Sequence, residues 1–377
     1  MHIAKVVVAM SGGVDSSIAA AVLKEEGYQV VGATFQIWSS DKPAYDVDGY
    51  RSYYRVNAVE DAKIVADSLG IPHYVLNVQN VFSQKVIANF CREYSLGRTP
   101  NPCIMCNKYI KFGTLLEKAR ELGADFVATG HYARIEKDKT SGRYLLKKGV
   151  AQRKDQSYFL YALTQEQLEH ALLPIGNFAK QRVREMVIEL GILAADKPAS
   201  QDICFIPDND CPKFFNEYFP QGVKPGPILD RKGNILGEHR GILFYTIGQR
   251  KGLGLSSKEP LYVTDIIHER NAIVVGGKGE VYGTEFIASG LNWICPVKLK
   301  QPIVAKAKIR YLHNEAEAEI IPIDEEKVHV RFKEPQLAIT PGQAVVFYDG
   351  NTVIGGGTIE QKIDNKPVEA LLASTKN

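Results

Sequence analysis

An apolar run, Val6–Ala9, breaks into Ser11-Gly12-Gly13 and resumes as Asp15-Ser16-Ser17-Ile18 and three alanines. The short apolar run reads as a buried strand and the alanine-rich stretch as a helix. Two glycines at such a junction let the backbone adopt angles closed to other residues and come close to a ligand. Unpaired N–H groups and the dipole at a helix start favour an anion, and Ser11, Ser16 and Ser17 add short hydroxyl donors. The implied ligand is a phosphate or pyrophosphate. Neither a GxxxxGK[ST] nor a GxGxxG pattern is present, so the segment is not a Walker loop or a dinucleotide fingerprint. The plain alternative, an ordinary glycine-bearing strand-to-helix turn, leaves the rest of SGGVDSS unexplained.

A chain of 377 residues exceeds one typical domain, and two or three are expected. Basic and acidic residues nearly balance, 46 against 43, so any nucleic-acid contact must come from local patches. No run of about 18 apolar residues predicts a membrane span. The first residues lead straight into a core strand, leaving no room for a cleavable signal. Six cysteines, at 91, 103, 106, 204, 211 and 295, then suggest thiol chemistry or metal in the cytosol rather than a disulfide framework.

Strand and helix patterns alternate through the first half. Strands are expected at 29–35, 73–78 and 125–129, with helices at 17–26, 57–69, 80–96 and 113–122. Asn57 starts the second helix, with Glu60 forming a capping-box-like pair. Residues 39–56 read as a loop over the active face. Such alternation predicts an α/β fold, a doubly wound, Rossmann-like parallel sheet. Ligands there bind beyond the carboxyl ends of the strands, so residues 11–17, the segment after Phe35 and Gly130-His131-Tyr132 should converge. A hairpin is expected at 131–150, then helices near 164–172 and 179–190. After a loop at 197–207 the composition shifts to short strands at 228–237, 261–267 and 272–276, a small linking domain. From Glu285 on, five or six short strands suggest a closed β-barrel. The expected domains are 1–207, 208–283 and 284–377.

Cys103 and Cys106, in the proline-broken loop RTPNPCIMCNKYIKF, form a C-x-x-C pair. It suits metal binding, a redox pair, or one reactive thiol. Cys204 sits in a second loop, KPASQDICFIP. Lys108 and Lys111 lie near Cys106, and basic groups draw a thiol toward thiolate. Zinc would need four ligands, and the spacing of Cys204 and Cys211 fits no common finger pattern. Cys91 and Cys295 read as packing residues. Three basic clusters suit RNA phosphates: Arg153–Tyr158, Gly248–Gly252, and Lys306, Lys308, Arg310 with Tyr311 and His313. The last is expected on one strand face, where a solvated surface is the plain alternative.

Six segments occur in order: AMSGGVDSS at 9–17, RTPNPCIMCNKYIKF at 98–112, ATGHY at 128–132 with KDQSYFLY at 154–161, SQDICFIP at 200–207, HRGILFYTIGQRKGLG at 239–254 and TPGQAVVFYDG at 340–350. The first resembles the loop of the ATP-pyrophosphatase (PP-loop) superfamily, and together they resemble the bacterial tRNA-specific 2-thiouridylases over essentially the whole chain. The resemblance implies a cytoplasmic enzyme using ATP and Mg²⁺ to adenylate the C2 oxygen of the wobble uridine in tRNA for Lys, Glu or Gln. Sulfur from a relay protein or cysteine desulfurase then gives 2-thiouridine, with AMP and pyrophosphate released. ATP would be held by Ala9, Met10, Ser11, Gly12, Gly13, Val14, Asp15, Ser16, Phe35 and Gly130. Cys204 would carry a persulfide and Cys106 would be the nucleophile, leaving a Cys106–Cys204 disulfide. Asn101, Pro102 and Cys103 would touch the flipped base. His131, Lys154, Asp155, Gln156, Arg310, Tyr311 and Gln343 would contact tRNA. Some members of the family carry aspartate where this chain has Cys103, so Cys103 does not inherit its acid–base role. Cys103, Cys106 and Cys204 could instead hold an iron–sulfur cluster. The alternatives are another ATP-pyrophosphatase, a ligase or amidotransferase with structural zinc, or a non-catalytic RNA-binding protein.

Overall fold

The computed structural model describes residues 3–38, 53–192, 203–206, 210–296 and 299–363. Val6, Val7 and Val8 are buried in the strand Lys5–Ala9, the middle of a five-stranded parallel sheet. Gln29–Gln36 and His73–Asn77 lie on one side of it, and Phe126–Ala128 and Ala171–Leu172 on the other. The order of strands therefore reverses beside the first strand. That reversal opens a crevice at the carboxyl ends, where a ligand enters without clashing with a crossover. The helix Val14–Glu25 covers the sheet with Ile18, Ala19, Ala20 and Leu23. It ends at Gly27, whose φ of 88° needs no Cβ.

The hairpin of Ala133–Lys137 with Tyr144–Lys148 forms as expected, but it joins the last barrel strand through Lys147 opposite Thr352. The hairpin thus extends the C-terminal sheet to eight strands and stays separate from the parallel sheet. The middle unit is a four-stranded sheet of Gly226–Leu229, Ile235–His239, Tyr262–Ile267 and Ala272–Gly276. The barrel has six antiparallel strands: Tyr282–Trp293, Ile303–Lys308, Ala316–Pro322, Lys327–Leu337, Ala344–Asp349 and Thr352–Ile363. Pairing of the first with the last closes it. Among the described residues no helix is long and apolar enough to cross a membrane.

Several expectations need correction. The second helix is Tyr53–Ser68, so Asn57 lies inside it and is not its cap. Most of the expected 39–56 loop lies outside the described residues. The C-x-x-C segment is helical, not a loop: Pro102 occupies the first turn of Pro102–Cys106, which runs on through a π-helical stretch, Asn107–Thr114, into Leu115–Glu121. Proline lacks an N–H, but the first helical turn does not need one. The helix Cys211–Tyr218, capped by Asp210, was not expected. Of the 197–207 loop only 203–206 is described. Finally, the basic strand stops at Lys308, so Arg310 is off it and shares no strand face with Lys306.

Candidate active site

Gly12 turns the loop with φ of 72°, and a Cβ there would run into the Asp61 side chain. Gly13, extended at φ −88° and ψ 160°, precedes the helix without supplying a side-chain cap. The first-turn amides are therefore left for an anion. Ser16 Oγ and Ser17 Oγ both donate to the Gly13 carbonyl, at 3.0 and 2.9 Å. Ser11 N donates to Ser16 Oγ at 3.2 Å. These bonds fix the loop from within. Met10 is buried and Ser11 exposed, so the loop rises from core to solvent within two residues.

Strand four packs against this loop. A Cβ on Gly130 would sit 2.5–2.7 Å from Asp15 C and O and from Ser16 N, so only glycine permits the approach. Next to it, Tyr132 Oη donates to Asp15 Oδ1 at 2.7 Å. Lys180, on the helix Lys180–Glu189, reaches the same oxygen at 2.5 Å and lies over the Tyr132 ring. Lys180 carried no motif; its partner is 165 positions away.

Lys180 offsets the Asp15 carboxylate at the helix start, where the sequence leads one to expect the phosphates. Lys180→Met is expected to slow pyrophosphate release by about ten- to a hundredfold, matching the ~1.5–3 kcal/mol of a hydrogen bond to a charged group. Lys180→Arg should retain most activity. Equal losses in both, with an unchanged KM for ATP, would contradict this role.

Cys106 and the Cys204 turn share one apolar cluster. Phe205 is buried against Phe82, Phe90 and Phe214, with ring centroids 5.7, 5.2 and 5.5 Å apart. Its neighbours Ile203 and Ile206, together with Cys106 and Phe35, belong to that cluster. The rings therefore bring the end of strand two, the C-x-x-C helix and the Cys204 turn together. Desolvation by surrounding protein pushes the Cys106 thiol up to about 12, opposed by Lys111 and reinforced by Cys204 and Cys103. The same crowding, with Cys204, pushes Cys103 up to about 11 although it stands at an exposed rim. No disulfide joins any of the six cysteines, all of which lie among the described residues. Cys91 and Cys295 pack in apolar surroundings, as the sequence suggested.

Lys111 acts on both halves of the site. It opposes the rise at Cys106 and Cys103, and it adds to the burial that holds His131 well below its ordinary value and neutral. His131 Nδ1 lies 2.6 Å from Thr129 Oγ1, at the end of strand four. Lys111 thus lies near enough to act on both His131 and the C-x-x-C thiols.

The other expected RNA contacts divide in two. Asn101 precedes the Pro102–Cys106 helix without making a side-chain cap bond, and Lys154 is half-exposed. The rest hold the framework. Asp155 is buried and accepts from Gly149 N at 3.0 Å and from Ser157 Oγ at 2.8 Å. Gln156 Oε1 accepts from Tyr132 N at 3.0 Å. Gln343 Nε2 donates to Thr99 O at 2.7 Å, so the barrel grips the segment that leads into Asn101. Arg310 donates to Ile247 O, Ala338 O and Thr340 Oγ1. The Tyr311 ring lies 4.4 Å from Phe159.

No group of three or more His, Cys, Asp or Glu among the described residues is placed to hold a metal ion. The iron–sulfur cluster expected as an option on Cys103, Cys106 and Cys204 gains no support from their arrangement.

Three family models match in order: a tRNA methyl transferase HUP domain over residues 4–208, a tRNA methyl transferase PRC-barrel domain over 212–277, and an aminomethyltransferase β-barrel domain over 283–359. The chain is 55% identical over 359 residues to a tRNA-specific 2-thiouridylase MnmA 1 of Caldanaerobacter subterraneus subsp. tengcongensis, covering 95% of this chain and 98% of the relative. It is 54% identical to a tRNA-specific 2-thiouridylase MnmA of Acetivibrio thermocellus, covering 94% and 99%. With one of Symbiobacterium thermophilum it shares 52%, covering 96% and 93%. At these identities and coverages, the chain belongs to the tRNA-specific 2-thiouridylase family of the PP-loop superfamily.

Proposed function

We propose that this chain is a cytoplasmic tRNA-uridine 2-sulfurtransferase, with units 1–207, 208–283 and 284–377. ATP, brought with Mg²⁺, lies on Ala9–Ser16 between Phe35 and Gly130. Free amides at the helix start hold its phosphates with the exposed Ser11 hydroxyl, while Ser16 holds the loop in shape through the Gly13 carbonyl. The wobble uridine of tRNA for Lys, Glu or Gln is flipped onto Asn101, Pro102 and Cys103, because its C2 is out of reach in a stacked loop. His131, Lys154, Asp155, Gln156, Arg310, Tyr311 and Gln343 support the RNA, several of them through the framework bonds described above.

The C2 oxygen attacks the α-phosphate and pyrophosphate leaves, so that AMP becomes the later leaving group. A sulfur-relay protein or cysteine desulfurase loads Cys204 as a persulfide. Cys106 attacks the Cys204 sulfur, forming a Cys106–Cys204 disulfide and releasing hydrosulfide. Hydrosulfide adds at C2 and expels AMP, leaving C2=S. The outer sulfur is thereby reduced, and a thiol reductant supplies two electrons to reopen the disulfide. The high Cys106 pKa means that this thiol is protonated near neutral pH, and Lys111 is the group on hand to favour its thiolate. No step passes through an iron–sulfur cluster.

The observation that supports the reading is the apolar cluster shared by Phe35 at the end of strand two, Cys106 on the C-x-x-C helix, and Ile203, Phe205 and Ile206 around Cys204. Nucleoside analysis of unmodified tRNA treated with ATP and a persulfide donor tests it. A metal-holding ligase or amidotransferase would consume ATP without forming 2-thiouridine.

A further inference from the structure

The segment Thr246–Leu255 lies where the three units meet. Thr99 Oγ1 and Thr246 Oγ1 are 3.2 Å apart, Ile247 O accepts from Arg310, and Gly248 N donates to Val263 O at 2.8 Å. The chain is therefore anchored to the base-loop segment, the barrel and the middle sheet within three residues. Beyond the anchor it becomes an exposed turn. Gly248, Gly252 and Gly254 have φ of 89°, 76° and 69°. Gln249 Nε2 donates to Lys251 O at 3.0 Å, bracing the turn internally. Buried Leu253 pins it to the middle-unit core.

This turn is left unsatisfied. Among the described residues, no backbone N–H from Arg250 to Gly254 donates a hydrogen bond. Arg250 and Lys251 are exposed, and neither makes an ion pair. Beside them is a cavity of about 270 Å³ whose lining includes Arg250, Leu253, Ser257, Lys258 and Glu259. Two cations, Arg250 and Lys258, thus line the cavity with one carboxylate, Glu259, and exposed Lys251 adjoins them on the glycine turn. Successive free N–H groups in such a turn make a concavity for an anion, and arginine matches phosphate geometry with a two-pronged donor.

We propose that the Arg250–Gly254 turn, with Lys258 across the cavity, clamps a phosphodiester of the tRNA strand next to the flipped uridine. This rests on the reading that the substrate is tRNA. Arg250 is four residues from Thr246, so its Cα lies within about 14 Å of that anchor, which itself touches Thr99, two residues before Asn101. The clamp fixes the backbone beside the target base, and it reads no sequence. Its location in the middle unit gives that unit a task of its own.

The test compares wild-type, R250A/K251A and R250K/K251R proteins by affinity for an anticodon stem-loop RNA across 50–400 mM salt. The alanine pair should bind about tenfold more weakly near 150 mM salt, and its slope of log K against log salt should fall by about one to two. The charge-conserving pair should keep most of both, and thermal midpoints should match. An unchanged slope in the alanine pair would overturn the clamp, as would equal losses in the charge-conserving pair. Lost ATP affinity with RNA affinity intact would assign the turn to a nucleotide instead and also overturn it. Wild-type protein that neither binds nor thiolates the RNA would sink the tRNA reading itself, a result distinct from these.

Discussion

Cys204→Ser is expected to abolish 2-thiouridine formation, by about three orders of magnitude or more, while RNA-dependent pyrophosphate release continues. Serine cannot carry a persulfide, but the bonds that fix the pyrophosphate loop are made among its own residues, Tyr132 and Lys180. Ser11 N donates to Ser16 Oγ, Ser16 Oγ donates to the Gly13 carbonyl, and Asp15 accepts from Tyr132 and Lys180. The two half-reactions should therefore separate cleanly. Cys106→Ser should accumulate persulfide on Cys204, because the thiol that attacks it is gone. Cys91→Ser serves as the control, since Cys91 is buried in the apolar cluster and burial pushes its thiol up to about 11. Thiolation by Cys204→Ser at the normal rate would remove Cys204 from the role of sulfur carrier.

Gly130→Ala should disable the other half-reaction. The added Cβ would lie 2.5–2.7 Å from backbone atoms of Asp15 and Ser16, and backbone has no rotamer to escape into. The loop must shift, and a misplacement near 1 Å costs about a hundredfold in a positioned reaction. The overpacking itself should cost about 1–3 kcal/mol of stability. The observable is pyrophosphate release, with circular dichroism to show that the fold persists. Gly279→Ala is the matched control, because a Cβ there meets nothing within 4 Å. Equal activity in the two variants would mean that the close approach of strand four does not shape the loop.

The sequence was informative where one local pattern decides the structure. The pyrophosphate loop, the strands beside it and the barrel strands follow from runs of apolar residues broken by glycine. Proline misled at the C-x-x-C segment: Pro102 reads as a breaker, yet at a first helical turn it starts the helix that presents Cys106. Asp210 and the proline after Cys211 make a capped helix start of the same kind. What could not be read were roles set by distant partners. Nothing local to Lys180 points to Asp15, and nothing local to Arg310 points to Ile247, Ala338 and Thr340. A basic residue beside a basic strand looks like an RNA contact until its donors are seen to be occupied by the protein. Lys111 was closer to legible, since it lies five positions after Cys106, but its reach to His131 depends on how strand four packs.

The central claim is that one site both activates the uridine with ATP and delivers sulfur from its cysteines. Unmodified tRNA for Lys, Glu or Gln incubated with the enzyme, ATP, Mg²⁺ and a persulfide donor, then digested for nucleoside mass spectrometry, tests it most directly. The account predicts 2-thiouridine at the wobble position, one AMP released for each, and none when ATP is omitted. Thiolation without ATP, or steady ATP consumption with no 2-thiouridine, would contradict it.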